Sequence, residues 1–247
     1  MVPAARQVLA VLAALARQPG PVPAATLVRE LGLPRSTVYH LLAELTAAGL
    51  AVHLPEEQRY GLGLSALELG SAYLRQEPLA RLARPVLARL VDRVGQSAHL
   101  AVLHGREVLY VVEERAPGRP SLVTDVGVRL PAHLTASGRA MLAGLPAAQV
   151  RALFPAPAAF VDRHGLGPRS LSALRRVGWA VEDGEVTPGF SSVAAAAYDH
   201  TGLPVAGLAV TFETADVDDA APERLARAAL SAAAELTRRV GGHPPEQ

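Results

Sequence analysis

The feature that most limits how this chain can fold is a close alternation of short helical stretches and helix breakers in its first 63 residues. Val8, Val11, Leu12 and Leu15 recur at helical spacing and predict a helix from about Ala4 to Arg17, which Pro19, Gly20, Pro21 and Pro23 then break. A second short helix, Ala24 to Leu31, turns Leu27, Val28 and Leu31 inward, and Gly32-Leu33-Pro34 makes a tight corner. Pro34 suits the first turn of a third helix, where its missing N–H costs nothing. That helix buries Val38, Leu41, Leu42 and Leu45, and Gly49 closes it as a left-handed cap. Apolar stretches at 50–54 and 59–62 flank the polar turn Pro55-Glu56-Glu57-Gln58 and predict a β-hairpin. Three helices and a hairpin in this order are the plan of a winged helix-turn-helix.

A helix that reads the major groove needs apolar residues fixing it to its domain and polar residues near its N-terminus. Val38, Leu41 and Leu42 meet the first need; Arg35, Ser36, Thr37, Tyr39 and His40 meet the second. Arg35 suits a phosphate or guanine, Ser36 and Thr37 suit backbone phosphates, and Tyr39 and His40 can reach base edges. Arg59, on the hairpin, suits an adjacent phosphate as a wing contact. On an isolated amphipathic helix the same polar residues would be an ordinary solvated face. The corner before this helix and the hairpin after it favour DNA as the partner. The net charge of +1 is silent on the matter, because counterion release depends on individual phosphate contacts and not on the total.

Beyond the hairpin, Leu64 to Gln76 predicts a connecting helix and Leu79 to Val94 a further amphipathic one. The pattern then changes to strands at 97–103 and 108–114, with strand-like stretches at 121–125 and 128–131. Helices are predicted over 135–145, 147–154 and 170–177, strands over 179–182, 192–198 and 205–212, and a closing helix over 222–240 with a disordered tail after Gly241. Helices mixed with one antiparallel sheet make the fold class α+β.

The run Leu33-Pro34-Arg35-Ser36-Thr37-Val38-Tyr39-His40-Leu41-Leu42, with Arg59-Tyr60-Gly61-Leu62-Gly63 after it, resembles the N-terminal domain of IclR-type transcriptional regulators, and the resemblance extends from about Ala5 to Gly241. It implies a winged helix-turn-helix over residues 1–63, a linker helix over 64–77 and a GAF/PAS-like effector-binding domain over 78–243. The family often has Arg where this chain has His40. The stretch Arg129 to Ala140 resembles the family's helix opening, and Ala136 and Ser137 match positions where family effectors meet backbone amides; an N-terminal helix end favours an anion. Glu182-Asp183-Gly184-Glu185 and Gly189 to Ala195 resemble the family's acidic loop and following strand. Glu182 stands where Asp is usual, and Ser192 where Cys is usual. Ala209 and Thr211 occupy alternating positions where relatives often carry serine, on one face of their strand. His99 can point into the same pocket or be a satisfied core histidine. The resemblance also implies a homodimer or homotetramer on a two-fold DNA operator, with the first helix and the 64–76 helix as dimer elements and a small carboxylate-bearing metabolite as effector.

Other classes fit less well. The chain has no cysteine, which excludes disulfides, thiolate metal sites and cysteine nucleophiles together. His99, His104, His133, His164 and His200 show no metal-ligand spacing, so no metal and no cofactor is expected. Ser71, Ser137, Ser191 and Ser192 lack a nucleophile-elbow frame, although Glu182, Asp183 and Glu185 leave acid–base chemistry as a rival. An interaction module without DNA binding is a third reading. With no apolar run of membrane length and no secretory leader, a cytoplasmic protein without a membrane partner is expected.

Overall fold

A computed structural model describes residues 3–76, 78–120, 124–155 and 170–245. Two compact units divide the chain, residues 1–76 and 77–247. In the first, α1 (Pro3–Ala16), α2 (Ala24–Leu31) and α3 (Arg35–Ala47) precede a hairpin of β1 (Ala51–Leu54) and β2 (Arg59–Leu62), and α4 (Leu64–Gln76) follows. The apolar stripes meet as their spacing requires. Val11 and Leu15 of α1, Leu27 of α2 and Val38, Leu42 and Leu45 of α3 form one buried core, with Ala51 of β1 at its edge. Helices of 8 to 14 residues are marginal alone; burying each of these large side chains, worth roughly 1.5–3 kcal/mol, holds them. Residues 19–23 do more than break a helix. Val22 pairs with Tyr60, its amide donating to the Tyr60 carbonyl at 2.9 Å and its carbonyl accepting at 2.8 Å, which fixes the hairpin to the helical body.

The second unit runs α5 (Pro78–Val94), β3 (Ser97–His104), β4 (Glu107–Glu114), β5 (Arg129–Pro131), α6 (Ala136–Gly144), α7 (Ala147–Leu153), α8 (Ser170–Val177), β6 (Trp179–Asp183), β7 (Phe190–Tyr198), β8 (Pro204–Glu213) and α9 (Ala221–Arg239). Its strands form one antiparallel sheet in the order β5-β4-β3-β8-β7-β6. Alternation along each strand sends Leu100, Val112, Val193, Leu208 and Val210 to one face, under Leu87 and Leu90 of α5 and Ala226, Ala229 and Leu236 of α9. The opposite face presents Ala101, Ala194, Ala196 and Ala209 to Ala136, Ala140 and Met141 of α6. Small residues there let α6 lie close to the sheet. At Gly207 an ideal Cβ would sit 2.7 Å from the Ser137 carbonyl oxygen, so no side chain fits between them.

Several expectations shift. Residues 121–123 lie outside the described residues, and Thr124 and Asp125 belong to no strand. A 3-10 turn over Ala132–Leu134 precedes α6, whose N-cap is Thr135: its hydroxyl accepts from the Gly138 amide at 3.0 Å. Pro85 is carried within α5, where it lacks one helix hydrogen bond. Residues 242–245 are ordered against the body, not disordered as expected: the Gly242 amide donates to the Thr237 carbonyl at 2.8 Å, and the His243 amide to the Asp199 carbonyl at 3.2 Å. No helix among the described residues is long and apolar enough to cross a membrane.

Candidate functional site

In the first unit, the face opposite the apolar base of α3 carries Arg35, Ser36, Tyr39 and His40 exposed, with Thr37 half-buried. Pro34 supplies no side-chain cap, so the first amides of α3 open toward the same surface as Arg35 and Ser36. Tyr39 does not stand alone. The Arg35 guanidinium lies 5.5 Å above its ring, its edge meets Tyr60 of β2 at 6.4 Å, and Tyr60 stacks on His53 of β1 at 4.5 Å. A cationic and aromatic chain therefore joins the helix to the hairpin. Burial, then the neighbouring Tyr39 hydroxyl, raises the Tyr60 phenol above its ordinary pKa. Arg59 is exposed, but its Nη1 donates to the Pro21 carbonyl at 3.1 Å and its Nε lies 4.0 Å from Glu57. Its charge is thus already half-engaged on the protein.

In the second unit, a cavity of about 10 Å³ is lined by Tyr110, Thr124, Thr135, Ala136, Glu182, Val186, Thr187, Phe190, Ser192 and Thr211, room for about one water molecule. Register explains the convergence. Glu182 of β6 pairs with Ser192 of β7, and Ser192 with Thr211 of β8, so three polar side chains stand in a row across the sheet, and the start of α6 caps that row. Ala136, Glu182, Ser192 and Thr211 are thus brought together from four elements. Ser137, one residue further along α6, is buried beside the Tyr110 phenol and against Gly207, outside the cavity lining. Ala209 packs into the core beneath α6. His99 is also outside the lining and completely buried, but it touches two residues that do line the cavity: its Nε2 is 3.0 Å from the Thr124 hydroxyl, and its ring meets Tyr110 edge-on at 5.9 Å.

The electrostatics of the Glu182 and Glu113 carboxyls differ. Glu182 is 3 % exposed, and burial raises its pKa above the ordinary carboxylate value. Opposing this, its Oε1 accepts from the amides of Glu185 at 2.7 Å and Val186 at 3.0 Å, and the Ser192 hydroxyl also bonds it. Glu113, paired with His99 across β3 and β4, falls to a pKa of about 2, chiefly through its hydrogen bond with His99 and then through Arg115. Burial raises the Tyr110 phenol, and the nearby Glu182 carboxylate adds to it. Arg139 of α6, outside the cavity lining, pairs with Glu185 at 2.7 Å, both side chains buried, and donates to the carbonyls of His133 at 2.8 Å and Val181 at 2.5 Å. Asp183, on the opposite face of β6, accepts from the Ser191 hydroxyl at 2.7 Å.

Tyr110, Thr124, Thr135, Val186, Thr187 and Phe190 are lining residues that sequence reasoning missed. Tyr110 carried a readable signal, an aromatic at the inward position of a strand otherwise made of Val, Leu and acids. Thr124 carried none, because it stands in an irregular connection. A larger hollow of about 350 Å³ opens at the far end of β7, lined by Arg175, Tyr198, Leu230, Thr237 and His243 among others. None of the expected effector residues reaches it, and Arg175 is spent on the carbonyls of Ala143 and Leu145, both at 2.7 Å. Among the described residues no three His, Asp or Glu side chains gather as metal ligands; His164 lies outside the described residues.

Both units match known proteins. Residues 4–55 match the IclR helix-turn-helix domain and residues 71–238 the bacterial transcriptional regulator IclR C-terminal domain. The HTH-type transcriptional regulator XynR of Escherichia coli K12 is 30 % identical over 220 residues, 85 % of this chain and 86 % of that protein. The crystal structure of an IclR transcriptional regulator from Alicyclobacillus acidocaldarius superposes with a TM-score of 0.84 at 23 % identity, covering 96 % of this chain and 98 % of that one. An IclR homolog from Microbacterium hydrocarbonoxydans, solved in complex with 4-hydroxybenzoate, gives a TM-score of 0.79 at 23 % identity, covering 96 % and 99 %. With an N-terminal helix-turn-helix and a C-terminal domain built on a curled antiparallel sheet, this chain belongs to the IclR family of transcriptional regulators.

Proposed function

We propose that this regulator binds a two-fold DNA operator through Arg35, Ser36, Thr37, Tyr39, His40 and Arg59, and that a small carboxylate-bearing metabolite tunes its affinity by binding at the polar cavity of the second unit, which must widen to admit it. The observation that carries the effector reading is the meeting of Ala136, Glu182, Ser192 and Thr211 at one cavity beside the start of α6. Amides at that helix end favour an anion, and the 4-hydroxybenzoate held by the Microbacterium homolog supports a small organic acid as the ligand class. The larger hollow at Tyr198 offers more room but holds none of these four residues. In this reading residues 1–63 bind DNA, 64–77 link and 78–243 sense, in a cytoplasmic homodimer or homotetramer. Leu9 on α1 and Leu64, Leu67 and Leu69 on α4, all at least 60 % exposed, support these two helices as the dimer elements. The ligand acts by binding one arrangement of the protomers better than another, which shifts the DNA-competent population.

Fluorescence anisotropy with the intergenic DNA beside the chain's own gene tests this. Specific, salt-sensitive binding that one acid shifts is expected. Arg35→Ala combined with Arg59→Ala lowers affinity by about tenfold to a hundredfold, and Arg35→Ala carries most of that loss, because Arg59 is already bonded to Pro21. Unchanged affinity in the double variant overturns this placement of the contacts.

A further inference from the structure

We infer that the hollow at the far end of β7 is a second small-molecule site, one that takes an acid with an apolar body; it does not depend on the function proposed for the Glu182 cavity.

Size separates the two spaces first. The cavity beside Glu182 measures about 10 Å³ and this hollow about 350 Å³, within the range of about 300–1,000 Å³ usual for small-molecule sites. Leu230 and Ala233 of α9 give it an apolar wall, and His243 of the docked tail closes one side.

Charge separates them next. The described lining of the Glu182 cavity has a carboxyl and no cationic side chain; that of the hollow has Arg175 and Arg238 and no carboxyl. Neither guanidinium has an ion pair with a described residue. Glu235, the carboxylate nearest to Arg238 on α9, is taken by Arg89 and Arg239. Arg175 is held through Nε and Nη2 by the carbonyls of Ala143 and Leu145, which orient its charge without neutralising it and leave Nη1 over. A side chain already held in place loses little freedom when a ligand arrives. The carbonyls that end α9 would oppose an anion, but the amides of Val240, Gly241 and Gly242 cover those of Leu236, Arg238 and Thr237.

The hydrogen-bonding groups agree. Thr237 is fully used: its hydroxyl donates to the Ala233 carbonyl at 2.8 Å and accepts from the Tyr198 amide at 3.0 Å. The Tyr198 hydroxyl bonds to no described residue. Burial raises the Tyr198 phenol, with the Arg175 charge opposing, so the phenol keeps its proton at neutral pH and offers it to an acceptor. A carboxylate only accepts and carries the charge that the guanidiniums lack, so it answers the phenol and both arginines, while the apolar wall takes the rest of the molecule.

Isothermal titration of the full-length protein with cyclohexanecarboxylate, cyclohexylmethanol and cyclohexylmethylamine tests this, because the probes share one ring and differ in charge. The acid is expected to bind roughly tenfold or more tighter than the alcohol, and the amine not at all. Arg238→Glu, at an exposed position, weakens the acid by about tenfold or more. Tyr198→Phe keeps the ring and weakens it by about threefold to tenfold, and Glu182→Gln leaves it unchanged. The wild-type series needs no variant, so a misfolded substitution cannot hide the result. An alcohol that binds as tightly as the acid overturns the anion site. Acid binding that ignores Arg238→Glu and Tyr198→Phe but shifts with Glu182→Gln puts the acid at the Glu182 cavity; the hollow then falls and the proposed function stands. No binding of the acid also overturns the hollow, while operator affinity shifted by some other acid would still uphold the proposed function.

Discussion

At the residue scale, Glu113 and Glu182 stand on the same face of one sheet yet pull stability in opposite directions with pH. Glu113 has a pKa lowered from 4.5 to about 2 by its bonds to His99 and Arg115. Its unfolded form binds a proton first on acidification, so its contribution is complete above about 4.5 and is lost as pH falls toward about 2. Glu182 is raised by burial. Its unfolded form gives up a proton first as pH rises, so it costs stability above the ordinary carboxylate value and nothing well below it. Urea unfolding of Glu113→Gln and Glu182→Gln from neutral to acid pH separates the two. Glu113→Gln is expected to be weaker than wild type at neutral pH, the deficit shrinking in acid. Glu182→Gln keeps an oxygen for the Glu185 and Val186 amides and is expected to be more stable than wild type at neutral pH, the gain disappearing in acid. Parallel pH profiles for the two variants would show that these carboxyls are not held as described.

At the element scale, the cavity exists because α6 and the β6–β7 connection are tied together. Arg139 reaches from α6 to Glu185, and the Glu182 carboxyl holds the amides of the same connection. Removing one member of a buried ion pair strands the other, at a cost of about 3–5 kcal/mol. Arg139→Ala is therefore expected to lose about that much stability in denaturant, while Arg139→Ala with Glu185→Ala loses less than the two single changes added together. Simple additivity would mean that the pair is not coupled. The same elements show what was legible in the sequence. The helix-turn-helix was plain because its breakers and apolar stripes are local, and α5, α9 and most strands followed from periodicity. Glu182, Ser192 and Thr211 could be placed on strands, but their row across the sheet depends on register, which no local pattern states. Thr124, in an irregular connection, and the tail over 242–245, docked on Thr237 and Asp199, take their places from tertiary contacts alone. Arg139 was read only as part of a motif; that it ties α6 to the β6–β7 connection is visible once Glu185 is beside it.

At the scale of the whole molecule, a helix-turn-helix unit gains its affinity for a two-fold site from acting twice. Leu64, Leu67 and Leu69 of α4 are 70 %, 66 % and 60 % exposed, and Leu9 of α1 is 64 % exposed. Single exposed leucines need no explanation, but three within six residues of one helix are a cost in water that a second copy of the chain would remove in the dimer proposed above. None of the three belongs to the buried core of the first unit, so Leu67→Glu with Leu69→Glu leaves that core untouched while placing like charges across a two-fold interface. Sedimentation is expected to report a smaller species for this variant at concentrations where the wild type is dimeric or tetrameric. Its operator affinity should fall by about a hundredfold or more, and the slope of log affinity against log salt should shrink to about half, because one unit neutralises about half the phosphates. An unchanged sedimentation coefficient, with the same salt slope, would move the interface away from α4. A smaller species that kept full affinity and full slope would mean that a single unit carries all the DNA contacts, and the two-fold operator would fall with it.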